Sequence, residues 1–303
     1  MIRPLRIGSR GSQLALWQAN HIASALRGFG HAVDIQIIKT TGDRLQDPAF
    51  RAAVAGQGVE DGKGIFIKEI EEALAAGAID LAVHSLKDLP TELAPEFTIA
   101  AIPPRVDPRD VLVAPMKVGL RELCASPRIG TTSPRRQTQL LALRDDLRFI
   151  EMRGNVDTRL RKLNEGQAEA LVLAAAGLDR LGLTEHISQR FAITELCPAP
   201  GQGALAVECR ASDAIVKIAL TQLDDEATRF AVTAERAGLG ALGGGCSVPI
   251  GIFCEVAAGG YTLHGALSNG KKTALVRRKL FVEAGIRPEE AGRRIAAELL
   301  AEA

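Results

Sequence analysis

The chain has 303 residues, 47% of them hydrophobic, which suffices for a sizeable core and two or three domains. Lys and Arg number 37 against 36 Asp and Glu, and a net charge of +1 argues against a general nucleic-acid or membrane-surface binder. No apolar run approaches the roughly 20 residues that span a bilayer, and the start "MIRPLRIGSRGSQ" has no apolar signal core, so export is not expected.

Short apolar runs alternate with amphipathic helical patterns, the signature of an α/β protein. "LRIGS" (5–9) reads as a strand and "SQLALWQANHIASALRG" (12–28) as a helix closed by Gly28. "VDIQIIKT" alternates as a strand, "FIKEIEEALAAG" (66–77) is helical to Gly77, and "IDLAVHS" (79–85) is a buried strand. The Pro-rich "AIPPRVDPRD" (101–110) is a linker, after which the pattern restarts. Strands "DVLVA" and "RIGT", helix "PRRQTQLLALR", strand "LRFIEM", helix "VDTRLRKLNEG" and strand "AEALVLA" come next. A second break, "LCPAPGQGALAVECR" (196–210), precedes helix "DEATRFAVTAERAG", strands at 247–256, 261–268 and 275–283, and the helix "PEEAGRRIAAELLAEA". The chain reads as two α/β domains and a smaller α+β domain, without repeats or low complexity.

The placing of the arginines is informative. "RIGS" runs into Arg10 and Ser12 at a helix start, and "RIGT" into Thr132, Ser133, Pro134, Arg135 and Arg136. Ser133 suits the N-cap and Pro134 the first helical position. "LRFIEM" runs into Arg153, Gly154 and Asn155, with Asn155 as N-cap and Arg159 one turn on. Each unit sets free backbone N–H groups and a guanidinium at the carboxyl end of a strand, where ligands of open α/β sheets sit. One such unit would carry little weight, since surface arginines are common; three of one construction favour a polyanion site.

Two stretches imitate phosphate loops. "GLGALG" (238–243) spells GxGxxG but follows a helical pattern, whereas the dinucleotide fingerprint needs strand, turn and helix. "GQGVEDGKGIF" (56–66) has Gly64 where Ser or Thr should hold magnesium and Gln57 where a glycine should be, so it reads as a mobile flap. The anions are then carboxylates of a metabolite sooner than nucleotide phosphates.

In "DLAVHSLKDLP" (80–90) the apolar strand makes His84 a satisfied core histidine before a general base. Asp88, beside Lys87, serves equally as a catalytic acid/base or a turn residue. The five cysteines stand at 124, 197, 209, 246 and 254, with no CxxC and no His at ligand spacing, so neither zinc nor a disulfide framework is expected. The chain reads as soluble and cytoplasmic, with free thiols. Cys246 comes after three glycines in "GGGCSVPIG"; without a local His, a reactive thiol and a small buried one are equally good readings.

"SRGSQLALWQA", "GDR", "GKGIFIKEIEEAL", "DLAVHSLKDLP", "DPRDVLV", "IGTTSPRRQTQL", "MRGNVDTRLRKL", "LAAAGLDRLGL", "PAPGQGALAVECR", "AERA" and "GGGCSVPIG" together closely resemble the porphobilinogen deaminase (hydroxymethylbilane synthase) family of tetrapyrrole biosynthesis. The match runs in order from Arg6 to about Gly251. The resemblance implies two α/β domains like those of periplasmic binding proteins, with the active site in the cleft between them, and a small C-terminal α+β domain. Domain 1 would comprise residues 1–103 and 200–222, domain 2 residues 104–199, and domain 3 residues 223–303, the chain crossing back near "GQGALAV". Cys246 would hold a dipyrromethane cofactor through a thioether. The reaction implied is a transfer that deaminates porphobilinogen and joins four molecules head to tail on that cofactor before hydrolysis releases hydroxymethylbilane.

Carried over by position, Asp88 would be the catalytic aspartate, assisting proton transfer as ammonia leaves, stabilising the azafulvenium cation and helping to remove the α-proton. Ser85, Lys87, Ser133, Arg135 and Arg136 would hold cofactor carboxylates. Arg10, Ser12, Arg153, Arg159 and Arg180 would hold those of the substrate or growing chain, and Lys63 and Phe66 would belong to the lid. Gln13, Thr132 and Gly243 depart from residues frequent in the family, but none removes a charged ligand or the anchor. The implied protein is a monomer without metal, nucleic acid or membrane partner. A non-enzymatic two-domain anion-binding protein would explain the arginines but not "HSLKD" with "GGGCSVP". An RNA-binding role is weakened by the near-zero net charge and 4% aromatic content.

Overall fold

The strand β1 (Leu5–Ser9) leads into α1 (Gln13–Gly28), whose buried Gln18, Ala19, Ile22, Ala23 and Leu26 form one helical face against the sheet. The computed structural model describes residues 3–44, 67–244, 248–268 and 275–302. Helix α1 ends at Gly28, as its sequence suggests, with Phe29 as its C-cap. Next come β2 (Val33–Ile37), the single turn α2 (Thr41–Arg44), α3 (Lys68–Ala75), β3 (Leu81–Ser85) and β4 (Phe97–Ala101). These strands build a five-stranded sheet in the order β2-β1-β3-β10-β4, with β10 (Leu205–Arg210) antiparallel to both neighbours. The stretch 196–210, read from sequence as a break, therefore ends in a central strand. Its proline- and glycine-rich first half masks the apolar "LAV" that the sheet buries on both faces.

A second five-stranded sheet repeats this plan in the order β7-β6-β8-β5-β9. It uses β5 (Asp110–Val113), β6 (Arg128–Gly130), β7 (Arg148–Ile150), β8 (Ala170–Ala174) and β9 (Gln189–Arg190). Its helices are α4 (Pro134–Leu141), α5 (Val156–Asn164) and α6 (Ala175–Leu181). Here β5 is the antiparallel insert, while β6 runs parallel to β7 and β8. Helix α6 begins immediately after β8 on Ala174, without a side-chain cap, and so carries no start signal in the sequence.

After α7 (Ala214–Leu220), the long α8 (Glu226–Ala241) and α9 (Pro288–Leu300) pack on an antiparallel sheet of β11 (Ile250–Ala257), β12 (Gly260–Ser268) and β13 (Leu275–Glu283). "GLGALG" lies at the end of α8, so it is no phosphate loop. The chain forms two compact units: Met1–Pro104 with Ala204–Glu226, and Arg105–Gly203 with Ala227–Ala303. The C-terminal sheet has its own apolar core, yet falls in the same unit as the second sheet. Buried Glu235 of α8 is one tie within that unit. It takes both Arg105 Nη1 and Nη2, at 2.7 and 2.6 Å, and accepts from the Gly201 and Cys254 amides at 2.7 and 2.8 Å.

Candidate active site

In the first unit β1 and β3 are parallel neighbours, so the segments that leave their carboxyl ends gather at one sheet edge. Ser12 caps α1, its Oγ accepting from Ala15 N at 3.3 Å, and Gln18 of the same helix donates to Ser85 Oγ at 2.8 Å. Arg10 donates from Nε and Nη2 to Asp43 Oδ1, at 3.0 and 2.5 Å. Burial pushes the Asp43 carboxyl up, but its bonds with Arg10 and Thr40 outweigh this and hold it below the usual carboxylate range.

From β3 the chain enters a 3₁₀ turn, Leu86–Asp88. Leu86 and Leu89 are buried, and the Leu86 amide donates to Ala204 O at 3.1 Å. Anchoring leucines three apart leave Lys87 half-buried and Asp88 exposed between them. His84 is buried on β3, its Nε2 2.9 Å from Glu208 Oε2, as a satisfied core histidine should be.

In the second unit β6 has β7 and β8 as parallel neighbours, which brings the starts of α4, α5 and α6 to one edge. Ser133 is the N-cap of α4, accepting from Arg136 N at 3.4 Å, and Pro134 opens the helix. Asn155 stands at the N-cap position of α5 after Gly154, whose φ of +120° a side chain would strain. Arg153 is exposed and paired with Glu151; Arg159 is half-buried on α5. Arg180 of α6 is buried and donates to Gly203 O at 2.8 Å. Burial brings its guanidinium down to about 10 despite the neighbouring Asp179 charge.

Arg135 and Arg136 follow the Ser133 cap, at the start of α4. Both are buried on Asp110, itself fully inaccessible at the start of β5. Arg135 Nη1 reaches Oδ2 at 2.7 Å, while Arg136 Nε and Nη2 reach Oδ1 at 3.0 and 2.7 Å. Gln202 Nε2 adds a bond to Oδ1 at 3.0 Å, and Arg135 Nη1 also donates to Cys197 O at 2.7 Å. Burial alone would raise the Asp110 carboxyl; the two guanidinium charges outweigh it and hold it far below the usual range. Sequence reasoning missed Asp110, although an acid opening an apolar strand in "DPRDVLV" signals a buried carboxylate with partners.

Removing one member of such a cluster leaves charge buried and unpaired, so Asp110→Asn is expected to cost about 3–5 kcal/mol at pH 7. Because the folded carboxyl is depressed, its stabilisation is full above an unfolded pKa of about 4 and fades as pH falls below it. Denaturant unfolding of both proteins from neutral to acid pH checks this. The gap should narrow in acid, and a loss under about 1 kcal/mol at pH 7 would contradict it.

Lys63, Phe66, the expected flap at 56–66 and Cys246 lie outside the described residues.

The porphobilinogen deaminase dipyromethane cofactor binding domain matches residues 5–218, and the porphobilinogen deaminase C-terminal domain matches residues 229–301. The chain belongs to the porphobilinogen deaminase family. It is 49% identical over 253 residues to a porphobilinogen deaminase of Nocardia farcinica, covering 84% of this chain and 70% of that protein. A porphobilinogen deaminase of a Roseiflexus species is 49% identical over 269 residues, 88% of this chain and 86% of that protein. Among solved structures, a periplasmic substrate-binding protein of an ABC transporter from Coxiella burnetii superposes with a TM-score of 0.43 at 14% identity, covering 74% of this chain and 94% of that one.

Proposed function

We infer that this chain is a transferase, a hydroxymethylbilane synthase that deaminates porphobilinogen and joins four molecules head to tail into hydroxymethylbilane on a covalently held dipyrromethane, in tetrapyrrole and haem biosynthesis. Membership of the family over nearly the whole chain carries this reading, against that of a non-catalytic carboxylate-binding protein.

The side chains suit a group bearing acetate and propionate. At the start of α4 two guanidinia meet the Asp110 carboxylate near a helix N-terminus, which itself favours anions. Ser85, Lys87, Ser133, Arg135 and Arg136 would hold the cofactor's carboxylates, and Cys246 would anchor it through sulfur. When bound, dipyrromethane supplies an electron-rich pyrrole as the primer for the chain. Asp88 does the proton work. Its exposed carboxylate would stabilise positive charge developing on porphobilinogen as ammonia departs and would take up the proton lost from the ring α-carbon. Arg10, Ser12, Arg153, Arg159 and Arg180 would orient substrate carboxylates, which must compete with Asp43 and Glu151 for Arg10 and Arg153. Lys63 and Phe66 would border the lid.

The reading includes a monomer acting in the cytoplasm, without nucleic acid or membrane. No helix among the described residues is long and apolar enough to cross a membrane. Incubating the purified protein with porphobilinogen tests it. Release of ammonia together with hydroxymethylbilane is expected, and binding without ammonia release would favour the non-catalytic alternative.

A further inference from the structure

Glu208 of β10 is fully buried, and its Oε1 has no hydrogen-bond partner among the described residues. Its other oxygen meets His84 Nε2 at 2.9 Å. The antiparallel register pairs Ala206 with His84 and Glu208 with Ala82, so His84 and Glu208 are diagonal neighbours on one face of the sheet. Glu71 of α3 is also close. Burial first, then the charge of Glu208, push its carboxyl above the ordinary range, against the opposite pull of His84.

Fold stability is a poor reason for this arrangement. A half-satisfied carboxylate inside a sheet is costly, and well-packed apolar residues of the same volume would hold the strands at least as firmly. A directional bond does offer a fixed strand end, and this one lies where that matters. His84 is the next-to-last residue of β3; Ser85, which ends the strand, pairs with Leu205 of β10, the Leu86 amide then donates to Ala204 O, and the chain turns to Asp88.

We propose that His84 and Glu208 are positioning residues for the reaction, clamping the end of β3 so that the turn Leu86–Asp88 presents the Asp88 carboxylate at a fixed place; this rests on the role given to Asp88 above. A misplacement of about 1 Å at a reacting group can cost on the order of 100-fold in rate.

The test is a double-mutant cycle on single-turnover ammonia release from porphobilinogen, expressed per folded, cofactor-loaded chain. Intact mass gives the loading and thermal unfolding the folded fraction. Glu208→Leu is expected to slow release about 10- to 100-fold, and Glu208→Gln, whose amide oxygen still accepts from His84, to retain more of the rate. In an Asp88→Asn background Glu208→Leu should cause little further loss, because the group it positions is gone. Should Glu208→Leu fail to fold, His84→Asn takes its place in the cycle with the same expectation. Equal fractional losses with and without the Asp88 carboxylate would overturn the positioning role, as would a normal rate in Glu208→Leu or, in its place, His84→Asn. A normal rate in Asp88→Asn alone would overturn the role of Asp88 and the proposal with it, a result distinct from additivity.

Discussion

Asp88→Asn is expected to fold normally and to lose turnover by about 10²–10⁴-fold from lost proton transfer, with a further loss from the missing charge. The amide nearly matches the carboxylate in size, and the turn is anchored by Leu86 and Leu89, not by the exposed Asp88. Ser85, Lys87 and Ser133 are untouched, so the variant should still retain cofactor when supplied with preformed product. Asp88→Glu keeps the charge but moves it by one methylene, and should keep partial activity while accumulating enzyme-bound intermediates. If Asp88 were only a turn residue, the substitution would lower thermal stability and leave turnover per folded chain nearly normal. Single-turnover ammonia release, normalised to folded and cofactor-loaded protein, separates these outcomes, and near-normal release would remove Asp88 from the mechanism.

The strand-turn-helix units carrying Ser12, Ser133 and Asn155 are legible in sequence because their signals are local. An apolar run, a capping residue and a helical period succeed one another within a few residues. The same holds for His84, whose place in "LAVHS" marks it as buried. The partners of those residues are not legible in this way. Asp110 lies 25 residues from Arg135, and Glu208 lies 124 residues from His84. Each pairing depends on an antiparallel strand inserted from elsewhere in the chain: β5 in one sheet and β10 in the other. A guanidinium beside a strand end looks the same in sequence whether it awaits a ligand or is held by a buried acid. That is why the sequence places Arg135 and Arg136 at the anion-binding edge without showing that both, at most 7% exposed, are held by Asp110. Arg10 is intermediate: its edge position stems from β1, but its bond to Asp43 depends on the long connection between β2 and α3.

Cys246→Ser is expected to fold, to carry no covalent cofactor and to lose nearly all activity. A thiolate is the nucleophile toward an electrophilic methylene carbon, and a serine hydroxyl ionises far less readily than a thiol. The other cysteines are poorly suited to replace it. Burial pushes Cys197 up to about 12 and Cys209 up to about 11, and raises Cys254 further still, so none offers thiolate at neutral pH. Cys124 is exposed, but it lies just before β6, in "LCASP" rather than the glycine-rich "GGGCSVP". The most direct measurement is the intact mass of the purified, active chain, complemented by peptide mapping. The predicted result is a mass exceeding that of the sequence by one dipyrromethane, located on the peptide containing Cys246, with Cys124, Cys197, Cys209 and Cys254 unmodified. An active enzyme whose mass equals that of the bare sequence, or whose adduct sits on another cysteine, would contradict it.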